Sequence, residues 1–297
     1  MKLLVGIDSS QASSAVVDEV AMRPWPSETT ACVIHIIDWS QSPSSDSLVQ
    51  AIRQSADVLI KSASDKLGKA GLQCETRVLD GHPRLALAKY AKEWGADLVV
   101  VGSHGAGGLA RFLLGSVAQA ALRRSPCSVE IVRKPVLGAA STSVPMKILL
   151  AVDGSDCSMA AVRSVAKRPW PPKSLMRVIS VVPLSVPFAE TISLPATLVY
   201  PIPNLLDDIE KHARGQAQEA VERSRHILRK AGIQAIDTDC FPVGDARQVI
   251  LDQAKDWGAD LIVVGSHGYR GVDRFMLGSV SESVAMHAQC SVEVIRK

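Results

Sequence analysis

Two loops in this chain of 297 residues hold the residue types best suited to chemistry. Gly102-Ser103-His104-Gly105 is followed by nine residues and then Gly115-Ser116. Gly265-Ser266-His267-Gly268 is followed by nine residues and then Gly278-Ser279. Both obey G-x2-G-x9-G-[ST], and each follows an apolar run and precedes a helical pattern. Glycine at a strand end lets the backbone approach a ligand closely or adopt a positive φ. A helix that opens at Gly115-Ser116 turns free N–H groups and a hydroxyl toward one space, which favours an anion. Two glycine turns around one helix start can therefore cradle a di- or triphosphate. The plainer alternative is tight packing of turns. No G-K-[ST] loop occurs, and the glycines follow the fourth strand of each unit rather than the first, unlike a dinucleotide fingerprint.

Other residues carry a chemical and a structural reading side by side. Asp8 and Asp153 end a first strand and either meet a ligand or cap the next helix. Arg111 and Arg274 fall at matching places in the nine-residue spacers and either neutralise phosphate or stand in water. His104 and His267 sit inside the glycine turns, where a general base would need a partner that the sequence does not identify. His82 stands where the second unit has Asp245, a loop variation. Trp25 and Trp170 read as packing anchors, and Cys127 and Cys290 as buried thiols.

These residues are positioned by one unit written twice. WGADLVVVGSHG from Trp94 and WGADLIVVGSHG from Trp257 differ only at Val99 and Ile262. Arg23-Pro24-Trp25-Pro26 recurs as Arg168-Pro169-Trp170-Pro171, an offset of 145, whereas Gly102 and Gly265 are 163 apart. The second copy has gained 18 residues, most of them in Val186–Asn204. The uncharged stretch from Leu137 to Pro145 reads as a linker. This gives domains at 1–136 and 146–297, joined by 137–145. In copy one, strands are expected at Lys2–Asp8, Ala31–Asp38, Cys74–Leu79, Asp97–Gly102 and Ser128–Arg133. Helices are expected at Gln11–Ala21, Asp46–Ala70, Arg84–Trp94 and Gly115–Arg124, and copy two repeats the order. Continuous apolar strands alternating with helices predict two tandem doubly wound α/β domains, each with a five-stranded parallel sheet.

Composition narrows the function. Lys and Arg number 33 against 30 Asp and Glu, a net charge of +3, so no basic footprint for nucleic acid stands out. Aromatics at 4% argue against base-stacking platforms. The short apolar run before Asp8 does not read as a signal peptide, and no apolar run approaches the ~20 residues of a membrane span. The six cysteines form no CxxC pair, so zinc and thioredoxin-like readings gain nothing. A reducing cytoplasm is the expected setting, with neither a membrane nor a nucleic acid as partner.

LLVGIDSS and ILLAVDGS at the first strands, the two glycine loops, and CSVEIVRK and CSVEVIRK at the last strands together resemble the universal stress protein family. The resemblance covers nearly the whole chain as two tandem Rossmann-like domains, apart from the linker and the insert. Within that family the glycine motif marks the members that bind ATP. The resemblance thus implies ATP, carried with Mg2+, as the ligand. It implies that Asp8 and Asp153, with Gly6-Ile7 and Ala151-Val152, hold the adenine side. Ile36 and Val181 would pack on the ring, and Val101 and Val264 would lie near the ribose. Gly102, Gly105, Gly115, Ser116 and Val117 would hold phosphates in copy one. Gly265, Gly268, Gly278, Ser279, Val280 and Ser281 would do so in copy two.

The leading expectation is an ATP-binding regulatory protein of stress adaptation. A slow ATP hydrolase or nucleotide-transfer enzyme on the same fold, and a ligand-free dimerisation protein, are the alternatives. No paired carboxylates or Ser/His/Asp grouping mark a catalytic centre, so at most weak ATPase activity is expected and no catalytic residue is assigned. The repeated last strands, Val129–Lys134 and Val292–Lys297, are expected to pair within the chain, and two chains to form a homodimer. Copy two is expected to bind more tightly, because Ser281 adds a hydroxyl where copy one has Ala118.

Overall fold

The computed structural model describes residues 1–40, 45–105, 114–133, 145–183, 205–236, 241–268 and 277–297. Arg111, Arg274, most of the linker and the Val186–Asn204 insert lie outside the described residues. Copy one runs β1 (Lys2–Gly6), α1 (Gln11–Met22), β2 (Thr30–Ile37), α2 (Asp46–Lys69), β3 (Gln73–Asp80), α3 (Pro83–Trp94), β4 (Leu98–Gly102), α4 (Ser116–Arg124) and β5 (Ser128–Val132). Copy two runs β6 (Lys147–Ala151), α5 (Asp156–Ala166), β7 (Leu175–Ile179), α6 (Leu205–Lys230), α7 (Ala246–Trp257), β8 (Leu261–Gly265), α8 (Ser279–His287) and β9 (Ser291–Ile295).

The strands form one nine-stranded sheet in the order β3-β2-β1-β4-β5-β9-β8-β6-β7. Every pairing is parallel except β5 with β9. The chain order reverses between β1 and β4 in copy one and between β6 and β8 in copy two. Those two switch points are where doubly wound sheets open a crevice. Among the described residues copy two contributes four strands; the place of the expected fifth includes residues 237–240, which lie outside them. Among the described residues its outer edge carries two isolated bridges, Met176 to Ala235 and Val182 to Val243. At the second bridge Val182 N donates to Pro242 O and Gly244 N to Val182 O, both at 2.9 Å, while Pro242 itself has no N–H to donate.

Burial follows the pleat. Leu3, Val5, Val33, Leu98 and Val100 face α1 and α2 in one apolar cluster. Leu4, Ile34, Val99, Val101 and Ile131 belong to a second cluster that continues through Val292 and Val294 into the whole core of copy two. The two copies therefore share a core across β5 and β9, where Val129 pairs with Val294 and Ile131 with Val292. The expected meeting of the last strands within one chain is observed.

Charges are built into the same seam. Glu130 and Glu293 are both 1% exposed. Arg23 reaches Glu130 Oε1 at 2.5 Å and Oε2 at 2.9 Å, and also Glu19 Oε1 at 2.5 Å. Arg168 reaches Glu293 at 2.8 Å. The duplicated Arg-Pro-Trp-Pro sequence supplies this cluster: Arg23 lies over both Trp25 and Trp170, and Arg168 over Trp170. Arginines from the strand ends then cross between copies. Arg133 donates to the Ala285 and Met286 carbonyls at the end of α8, and Arg296 to the Leu122 carbonyl in the last turn of α4. Each caps a helix C-terminus of the other copy with positive charge.

Candidate functional site

At the copy-one switch point a cavity of about 380 Å³ opens at the carboxyl ends of β1, β2 and β4. Its apolar wall is Ile34 and Ile36 from β2, Leu87 from α3, and Val101 from β4. Its polar mouth holds Asp8, Ser13, His104, Gly105, Gly115 and Ser116. All ten copy-one residues expected around a ligand, from Gly6 to Val117, line this one cavity. Pro83 and Leu87 of α3, which no motif singles out, complete it.

The start of α4 is the feature with most chemical consequence. Its N-cap is Gly115, which offers no side-chain cap. Gly115 N donates to Ser103 O at 2.7 Å, and the first intrahelical bond runs from Gln119 N to Gly115 O at 2.9 Å. The amides of Ser116, Val117 and Ala118 therefore lack intrahelical acceptors and face the cavity. By contrast, α1 is capped by Ser10 and α5 by Ser155, whose hydroxyls accept from Ser13 N and Ser158 N. In copy two, α8 repeats the open arrangement: Gly278 N donates to Ser266 O at 2.8 Å, and no side chain caps it.

The loop glycines are needed for close approach, and none of the six has a positive φ. A Cβ on Gly105 would stand 2.7 Å from Asp8 Oδ2, and one on Gly268 2.6 Å from Asp153 Oδ2. The glycine motif thus packs the loop onto the strand-one carboxylate. A Cβ on Gly102 would meet Ala12 of α1 at 2.8 Å, and one on Gly265 would meet backbone of Cys157 and Ser158 at 2.6 Å. These two glycines let a helix close on the strand end, so the packing reading holds at them.

Asp8 and Asp153 are not the N-caps. Asp8 Oδ1 accepts from Ser10 N at 3.0 Å, Ser10 Oγ at 2.5 Å and Ser13 Oγ at 2.7 Å. Asp153 Oδ1 accepts from Ser155 N at 2.9 Å, while Ser158 Oγ turns instead to Ser155 O at 3.0 Å. The copy-one carboxylate is the more firmly held. The turn also differs: Gly154 takes φ 87° where copy one has Ser9.

His104 Nδ1 lies 3.0 Å from Ser103 Oγ, and its Nε2 is shielded from solvent without a hydrogen-bond partner; His267 repeats both features. Burial, with Arg296 adding to it, lowers the His267 pKa. A shielded Nε2 cannot take a proton from an attacking water, so the geometry favours packing over general-base work. Ser281 also departs from its expected role. Its hydroxyl is buried and donates to Gly265 O at 2.6 Å, tying α8 to the end of β8. Cys127, just before β5, is a free thiol pushed up to about 11 by burial, which leaves it inert. Among the described residues, no three His, Cys, Asp or Glu side chains group to hold a metal, and no helix is long and apolar enough to cross a membrane.

The model of the universal stress protein family matches residues 1–133 and again 146–296. The chain belongs to the universal stress protein family. It is 29% identical to a universal stress protein of Mycolicibacterium smegmatis over 99% of this chain and 96% of that protein. It is 30% identical to universal stress protein YxiE of Bacillus subtilis, matching 50% of this chain and 98% of the relative. Among solved structures, a universal stress protein from Archaeoglobus fulgidus superposes with a TM-score of 0.65 at 19% identity, covering 100% of this chain and 96% of that one. That likeness concerns the fold. This universal stress protein carries both family domains in one chain, with their switch points at β1/β4 and β6/β8.

Proposed function

We propose that this universal stress protein binds ATP, one molecule per domain, and acts as a regulatory protein of stress adaptation rather than as an enzyme. The domains of this reading are 1–136 and 146–297. The observation that carries it is the copy-one cavity, apolar at one end and closed at the other by an uncapped helix start. Such a site pairs an apolar wall for a base with backbone donors for phosphates. Asp8 would accept from the nucleoside side, and Ser116 with the first α4 amides would hold phosphate. Asp153, Val181, Gly278, Ser279 and Val280 would do the same in copy two. Mg2+ would arrive on the phosphates. The thiols of Cys32, Cys74 and Cys127, outside any disulfide, support a cytoplasmic setting, and a homodimer is proposed as the working unit.

The test is the identity and stoichiometry of nucleotide retained by the purified chain, followed by calorimetric titration with ATP. Adenine nucleotide at up to two per chain supports the reading. Absence of any ATP affinity overturns the ligand assignment. Multiple-turnover hydrolysis at ordinary enzyme rates would overturn the non-enzymatic part.

A further inference from the structure

Beside each switch point the fold builds a second groove. In copy one it lies between the first turn of α3 and the outer face of α4, and encloses about 350 Å³. It is lined by His82, Arg84, Gln119, Arg123 and Arg124, and it shares Ser116 with the candidate nucleotide cavity. The copy-two counterpart, about 550 Å³, is lined by Asp245, Arg247, Asp252, Lys255 and His287 among others.

The two grooves have the same architecture and different chemistry. At the offset of 163, His82 corresponds to Asp245, Gln119 to Glu282, Arg123 to Met286 and Arg124 to His287. One arginine is common to both copies, and its state differs. Arg247 bonds Asp245 at 2.5 to 3.1 Å, and that contact holds the Asp245 carboxyl down at about 2. Arg84 makes no ion pair among the described residues and lies 3.1 Å from His82 Nε2. Arg124 makes none either, while Arg123 pairs with Glu282 of copy two at 2.6 Å. Asp38, at the end of β2, is an acid that feels this groove. Hydrogen bonds from Ser40 keep its carboxyl below the usual range, and His82 and Arg84 add to that. The copy-one groove thus presents two guanidinium groups outside any ion pair among the described residues, Arg84 and Arg124, with Arg123 already held by Glu282, next to the mouth where phosphates would end.

We propose that copy one takes a nucleotide whose phosphate chain continues past the third phosphate, with the additional phosphates lying along α4 against Arg84 and Arg124. This rests on the nucleotide reading above. Ser116 opens α4 and Arg124 ends it, about 12 Å further along the axis at ~1.5 Å per residue, so the occupant is an extended polyanion rather than one more phosphate. Guanidinium forks match phosphate oxygens in pairs, which suits such a chain. Copy two, where Asp245 and Asp252 line the groove and Asp245 already holds Arg247, would reject the same extension.

The test titrates ATP, adenosine 5′-pentaphosphate and inorganic pentaphosphate into the whole chain, with Arg84→Gln/Arg124→Gln and Arg247→Gln variants in parallel. In the intact chain one site should hold adenosine pentaphosphate about tenfold more tightly than ATP, as two added charge-assisted contacts imply. Arg84→Gln/Arg124→Gln should bring that ratio to about one while ATP affinity stays within a few-fold, and Arg247→Gln should leave the ratio alone. ATP bound with a ratio near one in the intact chain, or a ratio that survives the double substitution, overturns this proposal and leaves the nucleotide site standing. Inorganic pentaphosphate binding as tightly as the nucleotide also overturns it, by making the groove an independent anion site. Binding of none of the three overturns both readings.

Discussion

Glu130 and Glu293 stand directly opposite each other in the β5–β9 pairing, both shut away from water. With Glu19 they make three carboxylates against two guanidinium groups, Arg23 and Arg168, in one buried cluster. Burial pushes the Glu130 carboxyl from 4.5 up to about 7; Arg23 opposes the rise, and Glu293 and Glu19 reinforce it. In that window the folded chain keeps a proton that the unfolded chain has released, so stability from this group falls as pH rises toward 7. Glu130→Gln, which copies the protonated form, should melt above the parent at pH 8 and level with it near pH 5. Each tenfold gain in proton affinity on folding corresponds to about 1.4 kcal/mol, a few degrees for a chain of this size. Thermal melts of both chains across this range decide it; a gain independent of pH would remove the titration argument.

Gly102→Ala and Gly265→Ala should cost stability unequally. The added carbon at Gly102 meets mainly the Ala12 side chain, whereas at Gly265 it runs into backbone of Cys157 and Ser158. Overpacking of this kind costs about 1–3 kcal/mol, and the backbone clash should lie at the upper end. Urea titrations of the two variants should rank Gly265→Ala as the more damaged; the reverse order would mean that α5 shifts more easily than α1.

Gly115→Glu and Gly278→Glu should each abolish nucleotide binding at the altered helix start, by placing a negative charge where phosphate would sit. A Cβ at Gly115 falls 3.2 Å from Ser103 O, and one at Gly278 3.1 Å from Ser266 O, so a small local adjustment accompanies each. Gly115→Ala and Gly278→Ala carry the same adjustment without the charge and should lose less. Calorimetric stoichiometry reads this directly. Equal losses for Ala and Glu would point to loop distortion instead of charge.

Ser281→Ala should lower stability by about 1–3 kcal/mol, since it leaves the buried Gly265 carbonyl without its donor. Nucleotide affinity should stay within about twofold, because the hydroxyl is already committed to Gly265 O. The expectation that this residue makes copy two the tighter site therefore loses its physical basis. A tenfold fall in affinity with unchanged melting would restore it.

Repeats and glycine spacing were enough to read the doubly wound order and the clustering of Gly6 to Val117, because both are consequences of local pattern. Contacts between distant segments were harder. The hydroxyl clamp of Ser10 and Ser13 on Asp8 needs the helix entry angle. The buried ion cluster left a trace, a Glu inside each otherwise apolar last strand and a repeated Arg before each Pro-Trp, but its pairing across 107 and 125 residues is a tertiary fact. Glu19 has no counterpart, since copy two places Ser164 there, so symmetry could not reveal the charge excess.

The shared apolar core across β5 and β9 also changes what the segment between the copies is for. Surfaces that fit as one interior do not need a covalent tether to recognise each other. The tether raises the local concentration of one half near the other, typically to millimolar for a short connection. A chain cut within residues 134–144 should therefore still travel as a single particle in gel filtration, and come apart only on dilution or on loss of the Arg133 and Arg296 caps.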